Sequence, residues 1–122
     1  MSQVFVVEDS LEQREKIKTC LEKEGLTVVT AKSAEEALIR IQQNKPDLIV
    51  LDVILPGQSG FELCRQLKED PSTKFIPVVI CSSKNTDLDR SWGDMSGANA
   101  YITKPIDENQ LLETINQSLA YK

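Results

Sequence analysis

Histidine is absent from the 122-residue chain, and cysteine is scarce, with three residues that lie far apart and form no CxxC motif. Zinc sites use closely spaced cysteine and histidine ligands, and a disulfide framework needs paired cysteines. The composition therefore argues against both. Each cysteine (Cys20, Cys64 and Cys81) falls within an apolar pattern, so we expect all three to be small, buried hydrophobic side chains.

The chain also lacks an apolar run near the roughly 20 residues that a membrane-spanning helix requires. Its start, MSQVFVVEDS, reaches an acidic pair too early for a signal peptide. Basic residues are in the minority, 14 against 19 acidic ones, and the net charge of −5 offers no cationic surface for nucleic acid. We expect a cytoplasmic protein with neither membrane insertion nor nucleic-acid binding, whose partners are other proteins.

Short apolar runs alternate with longer amphipathic segments along the whole chain. The runs are rich in β-branched residues, which is typical of buried strands, and they cover residues 4–7, 27–31, 48–51, 78–81 and 100–102. Apolar residues at helical spacing follow each run. Strands that alternate with helices predict parallel strands joined by right-handed crossovers. The fold class is therefore a doubly wound α/β sheet, in a single domain over residues 1–122.

Four helix starts carry a capping signal, a serine or aspartate followed three residues later by glutamate or glutamine. The pairs are Ser10 with Gln13, Ser33 with Glu36, Ser59 with Glu62, and Asp107 with Gln110. The fourth helix, within TDLDRSWGDMSGA, has an apolar stripe at Leu88, Trp92 and Met95. Because it also contains Gly93 and several poor helix formers, we expect it to be the least stable helix.

Polar residues stand where the predicted strands end. Glu8 and Asp9 follow the first strand, Asp52 follows the third, Ser82 follows the fourth, and Lys104 comes shortly after the fifth. Ligands of doubly wound sheets bind beyond the carboxyl ends of the strands. We therefore expect these five residues to meet at one edge of the sheet.

Three carboxylates at one edge would repel one another unless positive charge offsets them. Lys104 supplies one charge, and a set of oxygen ligands with open positions suits Mg²⁺. A carboxylate beside magnesium, a lysine and a hydroxyl is arranged for phosphoryl transfer. Asp52 would be the nucleophile that forms an acyl phosphate. Glu8 and Asp9 would hold the metal, while Lys104 and Ser82 would contact phosphoryl oxygens.

Four motifs in this order resemble the receiver domains of two-component response regulators. They are VVED, LIVLDVILPGQSG, PVVICSS and YITKP, each at the end of a predicted strand. The resemblance covers the whole chain and implies a flavodoxin-like, five-stranded parallel sheet of order 2-1-3-4-5. It also implies that Asp52 is the phosphorylation site, and that Glu8, Asp9, Asp52 and the backbone carbonyl of Ile54 are the magnesium ligands.

The same resemblance implies three further roles around Asp52. Ser82 would be the switch hydroxyl, Tyr101 the switch aromatic, and Lys104 the phosphate-binding lysine, followed by a cis bond to Pro105. Glu8 stands where aspartate is also common in the family, and Ser82 where threonine is common. Both residues keep the required carboxylate and hydroxyl.

A protein of this kind catalyses only its own phosphorylation and dephosphorylation, and needs no cofactor besides Mg²⁺. The resemblance implies a histidine kinase as phosphoryl donor, and a downstream protein that binds the fourth helix, fifth strand and last helix. The segment SSKNTDLDRSWGDMSGANAYITKP is similar to single-domain chemotaxis-type regulators of twitching motility and pilus-based phototaxis. Because the last helical pattern ends at the C-terminus, no effector domain is expected.

Other functions stay open at this point. A flavin-binding protein of the same architecture needs a phosphate-cradling first loop, where this chain has Glu8 and Asp9. Phosphatases with an aspartate nucleophile share an Asp-x-Asp pattern. In this chain Asp52 begins the sequence DVI, which has no second acid. The chain could also be a phosphate sink for another regulator, or a receiver that binds partners without phosphorylation.

Overall fold

A computed structural model of the chain describes residues 2–120. The strands and helices alternate, and the strands form one parallel sheet of order β2-β1-β3-β4-β5, which confirms the predicted fold class. Residues 1, 121 and 122 of the predicted domain lie outside the described residues. The strands are β1 Gln3–Val7, β2 Thr27–Ala31, β3 Leu48–Leu51, β4 Val78–Ser82 and β5 Ala100–Thr103, and the helices are α1 Leu11–Glu22, α2 Ala34–Gln43, α3 Gly60–Glu69, α4 Asp87–Met95 and α5 Glu108–Ala120.

The three inner strands, β1, β3 and β4, are buried on both faces of the sheet, to which their successive side chains point alternately. In β3, Ile49 and Leu51 pack in one core cluster with residues of α2 and α3. Leu48 and Val50 pack in the other cluster with residues of α1 and α5. A strand that is apolar at every position therefore fits the center of this sheet. No helix within residues 2–120 is long and apolar enough to cross a membrane.

The three cysteines are all buried and free, as predicted. Cys20 and Cys81 lie in the cluster that faces α1 and α5, and Cys64 lies in the other cluster. Burial raises the pKa of the Cys20 thiol to about 11 and that of Cys81 to about 12. Both side chains are therefore protonated at neutral pH and serve as small packing groups.

The predicted capping residues hold the helix starts. The hydroxyls of Ser10, Ser33 and Ser59 each accept a hydrogen bond from the backbone N–H three residues later. The Asp107 carboxylate accepts from two backbone N–H groups at the start of α5. Such bonds satisfy N–H groups that have no partner within the helix.

Helix α4 has a complete capping box that the sequence pattern did not reveal. The Thr86 hydroxyl accepts from the Asp89 backbone N–H at 3.1 Å, and the Asp89 carboxylate accepts from the Thr86 backbone N–H at 3.1 Å. The apolar stripe of α4 lies on the surface, with Leu88 67%, Trp92 51% and Met95 75% exposed. The helix therefore rests on the sheet through its other side.

Replacing Thr86 by alanine is expected to lower the free energy of unfolding by about 1 kcal/mol, the usual cost of losing an N-cap hydroxyl. The pKa of Asp89 lies below its ordinary value because its carboxylate accepts from the Thr86 hydroxyl and backbone N–H. Thr86→Ala should therefore raise the Asp89 pKa in an NMR titration. Thr86→Ser keeps the hydroxyl and should change neither quantity; an unchanged Asp89 pKa in Thr86→Ala would contradict this role of the cap.

Candidate functional site

Four strands deliver polar residues to one edge of the sheet, as the sequence predicted. Asp52 directly follows β3, and its backbone N–H still donates to the Val7 carbonyl of β1 at 3.1 Å. Its side chain is held at the end of the buried strand, and the residue is 7% exposed. Glu8 follows β1 and is 3% exposed. Ser82 is the last residue of β4, and Lys104 directly follows β5.

Lys104 joins the two buried carboxylates. Its Nζ donates to Glu8 Oε1 at 2.5 Å and to Asp52 Oδ2 at 3.1 Å, and all three side chains are largely shielded from solvent. Burial disfavours the ammonium, but its hydrogen bond to the Glu8 carboxylate and the negative charges of Asp52 and Glu8 outweigh that effect and raise the pKa of Lys104. The lysine is therefore charged at neutral pH and offsets one of the two negative charges.

The remaining predicted metal ligands adjoin this cluster. Asp9 is exposed beside Glu8, and the backbone N–H of Ile54 donates to Asp52 Oδ1 at 3.3 Å. No three Asp, Glu or Cys side chains of residues 2–120 are grouped as a ready metal site; instead, Glu8 and Asp52 share the Lys104 ammonium. The available donors are oxygens, and two of them are buried carboxylates, which is the donor chemistry that Mg²⁺ uses. The residues present therefore fit magnesium.

Ser82 and Tyr101 are linked through the main chain of Lys84. The buried Ser82 Oγ accepts from the Lys84 backbone N–H at 3.3 Å, and the Tyr101 hydroxyl donates to the Lys84 carbonyl at 2.5 Å. The loop between β4 and α4 is thus bound at one residue by both predicted switch side chains. Sequence reasoning missed this link because it uses main-chain groups, which every residue carries.

The Tyr101 ring packs beneath α4. The Arg90 guanidinium lies 5.2 Å from the ring centroid and donates to the Thr103 hydroxyl at 2.7 Å. A Cβ atom at Gly93 would lie 2.8 Å from the ring, so only glycine leaves room for it in this position. Burial and then the charge of Asp89 raise the pKa of Tyr101. The phenol is therefore a neutral hydrogen-bond donor at physiological pH.

Two glycines shape the loop between Asp52 and α3. Gly57 has φ +75°, a left-handed conformation that favours glycine. Gly60 begins α3, and its backbone N–H donates to the Val53 carbonyl at 2.8 Å. A Cβ atom at Gly60 would lie 2.0 Å from the Asp52 carbonyl oxygen. The start of α3 is therefore in direct contact with the main chain of Asp52.

Sequence reasoning also missed Arg14, which is 7% exposed and contacts the main chain of the acidic pair. Its Nη1 donates to the backbone carbonyl of Glu8 at 3.0 Å and to that of Asp9 at 3.3 Å. In the sequence it is one polar residue among many in a charged first turn, so no pattern distinguishes it.

A doubly wound sheet of this strand order, with an acidic pair, a central aspartate, a hydroxyl and a lysine at its carboxyl edge, has the architecture of a phosphoacceptor domain. The family model described as "Response regulator receiver domain" matches residues 4–116. The chain belongs to this family. The predicted family membership is therefore confirmed.

Individual relatives show the same similarity over their whole length. Protein PilH of Pseudomonas aeruginosa is 40% identical over 120 residues, which cover 98% of this chain and 99% of PilH. The crystal structure of a putative response regulator from Chloroflexus aurantiacus matches with a TM-score of 0.95 and 32% identity, over 98% of each chain. The chemotaxis protein CheY4 of Vibrio cholerae matches with a TM-score of 0.91 and 29% identity, over 97% of this chain and 98% of CheY4.

Proposed function

We propose that this receiver domain is a phosphorylation-operated switch of a two-component phosphorelay and that Asp52 is its phosphoacceptor. The observation that carries the proposal is the placement of the Asp52 carboxylate. It is held between the Lys104 ammonium and the Ile54 backbone N–H, at the end of a buried strand and beside Glu8. A nucleophile fixed in this way has little freedom to lose on reaction, which favours phosphoryl transfer.

The donor would be a phosphohistidine of a partner kinase, since this chain contains no histidine. One Asp52 carboxylate oxygen attacks phosphorus as the bond between phosphorus and the imidazole nitrogen breaks, and the product is an acyl phosphate. Hydrolysis of that acyl phosphate returns the carboxylate and releases inorganic phosphate. The domain would catalyse only these two reactions on itself.

Glu8, Asp9, Asp52 and the Ile54 backbone carbonyl would hold Mg²⁺. When bound, the ion would neutralise carboxylate charge and stabilise the phosphoryl oxygens. The Lys104 ammonium would turn from Asp52 Oδ2 to a phosphoryl oxygen, a short movement because it already contacts the acceptor at 3.1 Å. The Ser82 hydroxyl would donate to another phosphoryl oxygen, and its burial supports such a bond in a water-poor site.

The output would be a change of protein contacts on the surface formed by α4, β5 and α5. Ser82 and Tyr101 both bind the main chain of Lys84. When Ser82 turns to the phosphoryl group, this loop and the Tyr101 hydroxyl bond have to adjust together. A new bond made only in the phosphorylated state shifts the populations of two conformations, as a switch requires.

We further propose that the domain acts in the cytoplasm, in motility signalling of the chemotaxis type, without binding nucleic acid. The similarity to the chemotaxis protein CheY4 and the acidic composition support this setting. A partner surface that complements the net charge of −5 would be neutral or basic.

The proposal is tested by incubating the protein with Mg²⁺ and acetyl phosphate, followed by intact-mass and peptide-mass spectrometry. We expect a mass gain of one phosphoryl group, located on the peptide that contains Asp52, and its loss under alkaline hydroxylamine, which cleaves acyl phosphates. Asp52→Asn should show no gain. Asp94→Asn removes the same charge from the surface helix α4 and should be phosphorylated like the wild type.

A gain that persists in Asp52→Asn, or no gain in the wild type, would show that Asp52 is not the acceptor. A pull-down from cell lysate with wild type and Asp52→Asn, each with and without acetyl phosphate, separates a signalling output from a phosphate sink. A switch changes the bound proteins only in the phosphorylated wild type. A sink accepts the phosphoryl group with no change in what it binds.

A further inference from the structure

Arg14 is a buried charge to which the proposed reaction gives no task. It lies in the first turn of α1 and is 7% exposed. Its guanidinium forms no ion pair with a carboxylate of residues 2–120, where the ion pairs belong to Arg40 and Lys104. Burying a cation without an anionic partner is costly. The contacts that Arg14 does make must therefore compensate for that cost.

Those contacts are two consecutive main-chain carbonyls of the acidic segment. Nη1 donates to the Glu8 carbonyl at 3.0 Å, in a buried bond, and to the Asp9 carbonyl at 3.3 Å. Hydrogen bonds from a charged donor are stronger than neutral ones. A planar guanidinium also fixes the direction of its bonds better than an ammonium does. Arg14 thus holds the main chain of residues 8 and 9 where they leave β1.

The two acidic side chains depend on this hold to different degrees. The Glu8 carboxylate has two other partners, the Lys104 ammonium at 2.5 Å and the Ser10 backbone N–H at 3.2 Å. The Asp9 carboxylate is exposed and, among the described residues, makes no hydrogen bond or ion pair. The place from which it projects is therefore set by the main chain of residue 9, whose carbonyl Arg14 binds.

We infer that Arg14 is a positioning residue for Mg²⁺ binding: its hold on the Glu8 and Asp9 carbonyls aims the Asp9 carboxylate at the metal position. The inference rests on the proposed function, which places Mg²⁺ on the acidic pair. Arg14 itself touches neither the metal nor the phosphoryl group.

The test is calorimetric titration with MgCl₂ of the wild type and of Arg14→Met, which keeps a long apolar side chain but removes the donors. We expect the magnesium Kd of Arg14→Met to rise about tenfold or more, as is typical when groups that orient metal ligands are removed. Arg65→Met is the matched control. It removes an arginine charge from the exposed side of α3. Because solvent and salt screen an exposed charge, its magnesium Kd should stay within about twofold of the wild-type value.

A second measurement separates positioning from general damage. The magnesium dependence of phosphorylation by acetyl phosphate should shift, so that Arg14→Met needs about tenfold more Mg²⁺ for half of its maximal rate. At saturating Mg²⁺ its rate should reach that of the wild type. If Arg14→Met had a general structural defect instead, its rate would stay below that of the wild type even at saturating Mg²⁺. That result would overturn the inference.

The outcomes distinguish the inference from the proposed function. If the wild type does not bind Mg²⁺, the proposed metal site is wrong and the inference falls with it. If the wild type binds and Arg14→Met binds equally well, or if Arg65→Met weakens binding as much, only the inference is overturned. If circular dichroism shows Arg14→Met to be unfolded, Arg14→Lys decides, because it keeps the charge but lacks the planar donors. Its Kd should rise by about threefold or more, and an unchanged Kd would overturn the inference.

Discussion

Replacing Lys104 by methionine is expected to slow phosphorylation of Asp52 by acetyl phosphate by about 10²- to 10³-fold, the usual cost of removing one donor to a developing charge. Methionine has nearly the same length but cannot offset charge on the phosphoryl oxygens. The rate is measured by mass spectrometry over time at saturating Mg²⁺. Lys45→Met is the matched control, because Lys45 is exposed and precedes β3, at the opposite edge of the sheet, and its rate should equal that of the wild type.

The same change should lower the free energy of unfolding by about 2 kcal/mol at neutral pH, because it leaves Glu8 and Asp52 without their shared cation. Addition of Mg²⁺ should restore part of that loss. The pKa of Lys104 is raised in the folded protein, so its contribution is complete below the ordinary value of 10.5 and is lost as the pH rises through the folded value. Urea unfolding of the wild type should show this alkaline loss, and Lys104→Met should lack it.

A Lys104→Met variant that is phosphorylated at the wild-type rate would remove the lysine from the proposed mechanism. An unchanged stability would instead indicate that solvent, rather than Lys104, compensates the two carboxylates. The two measurements are independent, since one reports on the reaction and the other on the resting site.

Gly60→Ala is expected to lower the free energy of unfolding by about 3 kcal/mol or more. The added Cβ would lie 2.0 Å from the Asp52 carbonyl oxygen and 2.8 Å from the Val53 Cα, and these backbone atoms cannot rotate away as a side chain could. Overpacking in a core costs about 1–3 kcal/mol even where side chains give way. Urea unfolding followed by circular dichroism measures the loss.

Gly25→Ala provides the comparison. Gly25 has φ +82° but nothing within 4 Å of an added Cβ. The free energy of unfolding of this variant should therefore fall only by the cost of placing alanine in a left-handed conformation, about 1 kcal/mol. If the free energy of unfolding falls no more in Gly60→Ala than in Gly25→Ala, α3 can move away from Asp52 without loss of stability. Gly60→Ala should also be phosphorylated more slowly under conditions where it is folded, because Asp52 is displaced.

The sequence predicted the edge of the sheet where the site lies, for a simple physical reason. Strands buried on both faces are apolar at every position, so the first polar residue after each run marks the strand end. Glu8 and Asp52 were found in this way, Lys104 follows the fifth run one residue later, and in the structure its ammonium contacts both carboxylates. The order of the strands rested on the family resemblance, because pairing between distant segments leaves no local pattern.

The helices show where the pattern was insufficient. The serine caps were predicted from glutamate or glutamine three residues later, whereas the cap of α4 pairs Thr86 with the shorter Asp89. The helical spacing of apolar residues in α4 correctly indicated a helix. Spacing does not tell, however, which side of the helix packs against the sheet. The side that carries Gly93 packs against Tyr101 and leaves Trp92 half exposed.

By itself, the sequence determined the fold class, the burial of the cysteines, and the residues that can supply carboxylate, hydroxyl and ammonium groups at one sheet edge. These follow from side-chain polarity and its period along the chain. Only the tertiary structure decided that Lys104 joins Glu8 to Asp52, that Gly60 presses on the Asp52 main chain, and that Arg14 holds the acidic segment. Each of these depends on where main-chain atoms or distant segments meet, and residue type alone does not record that.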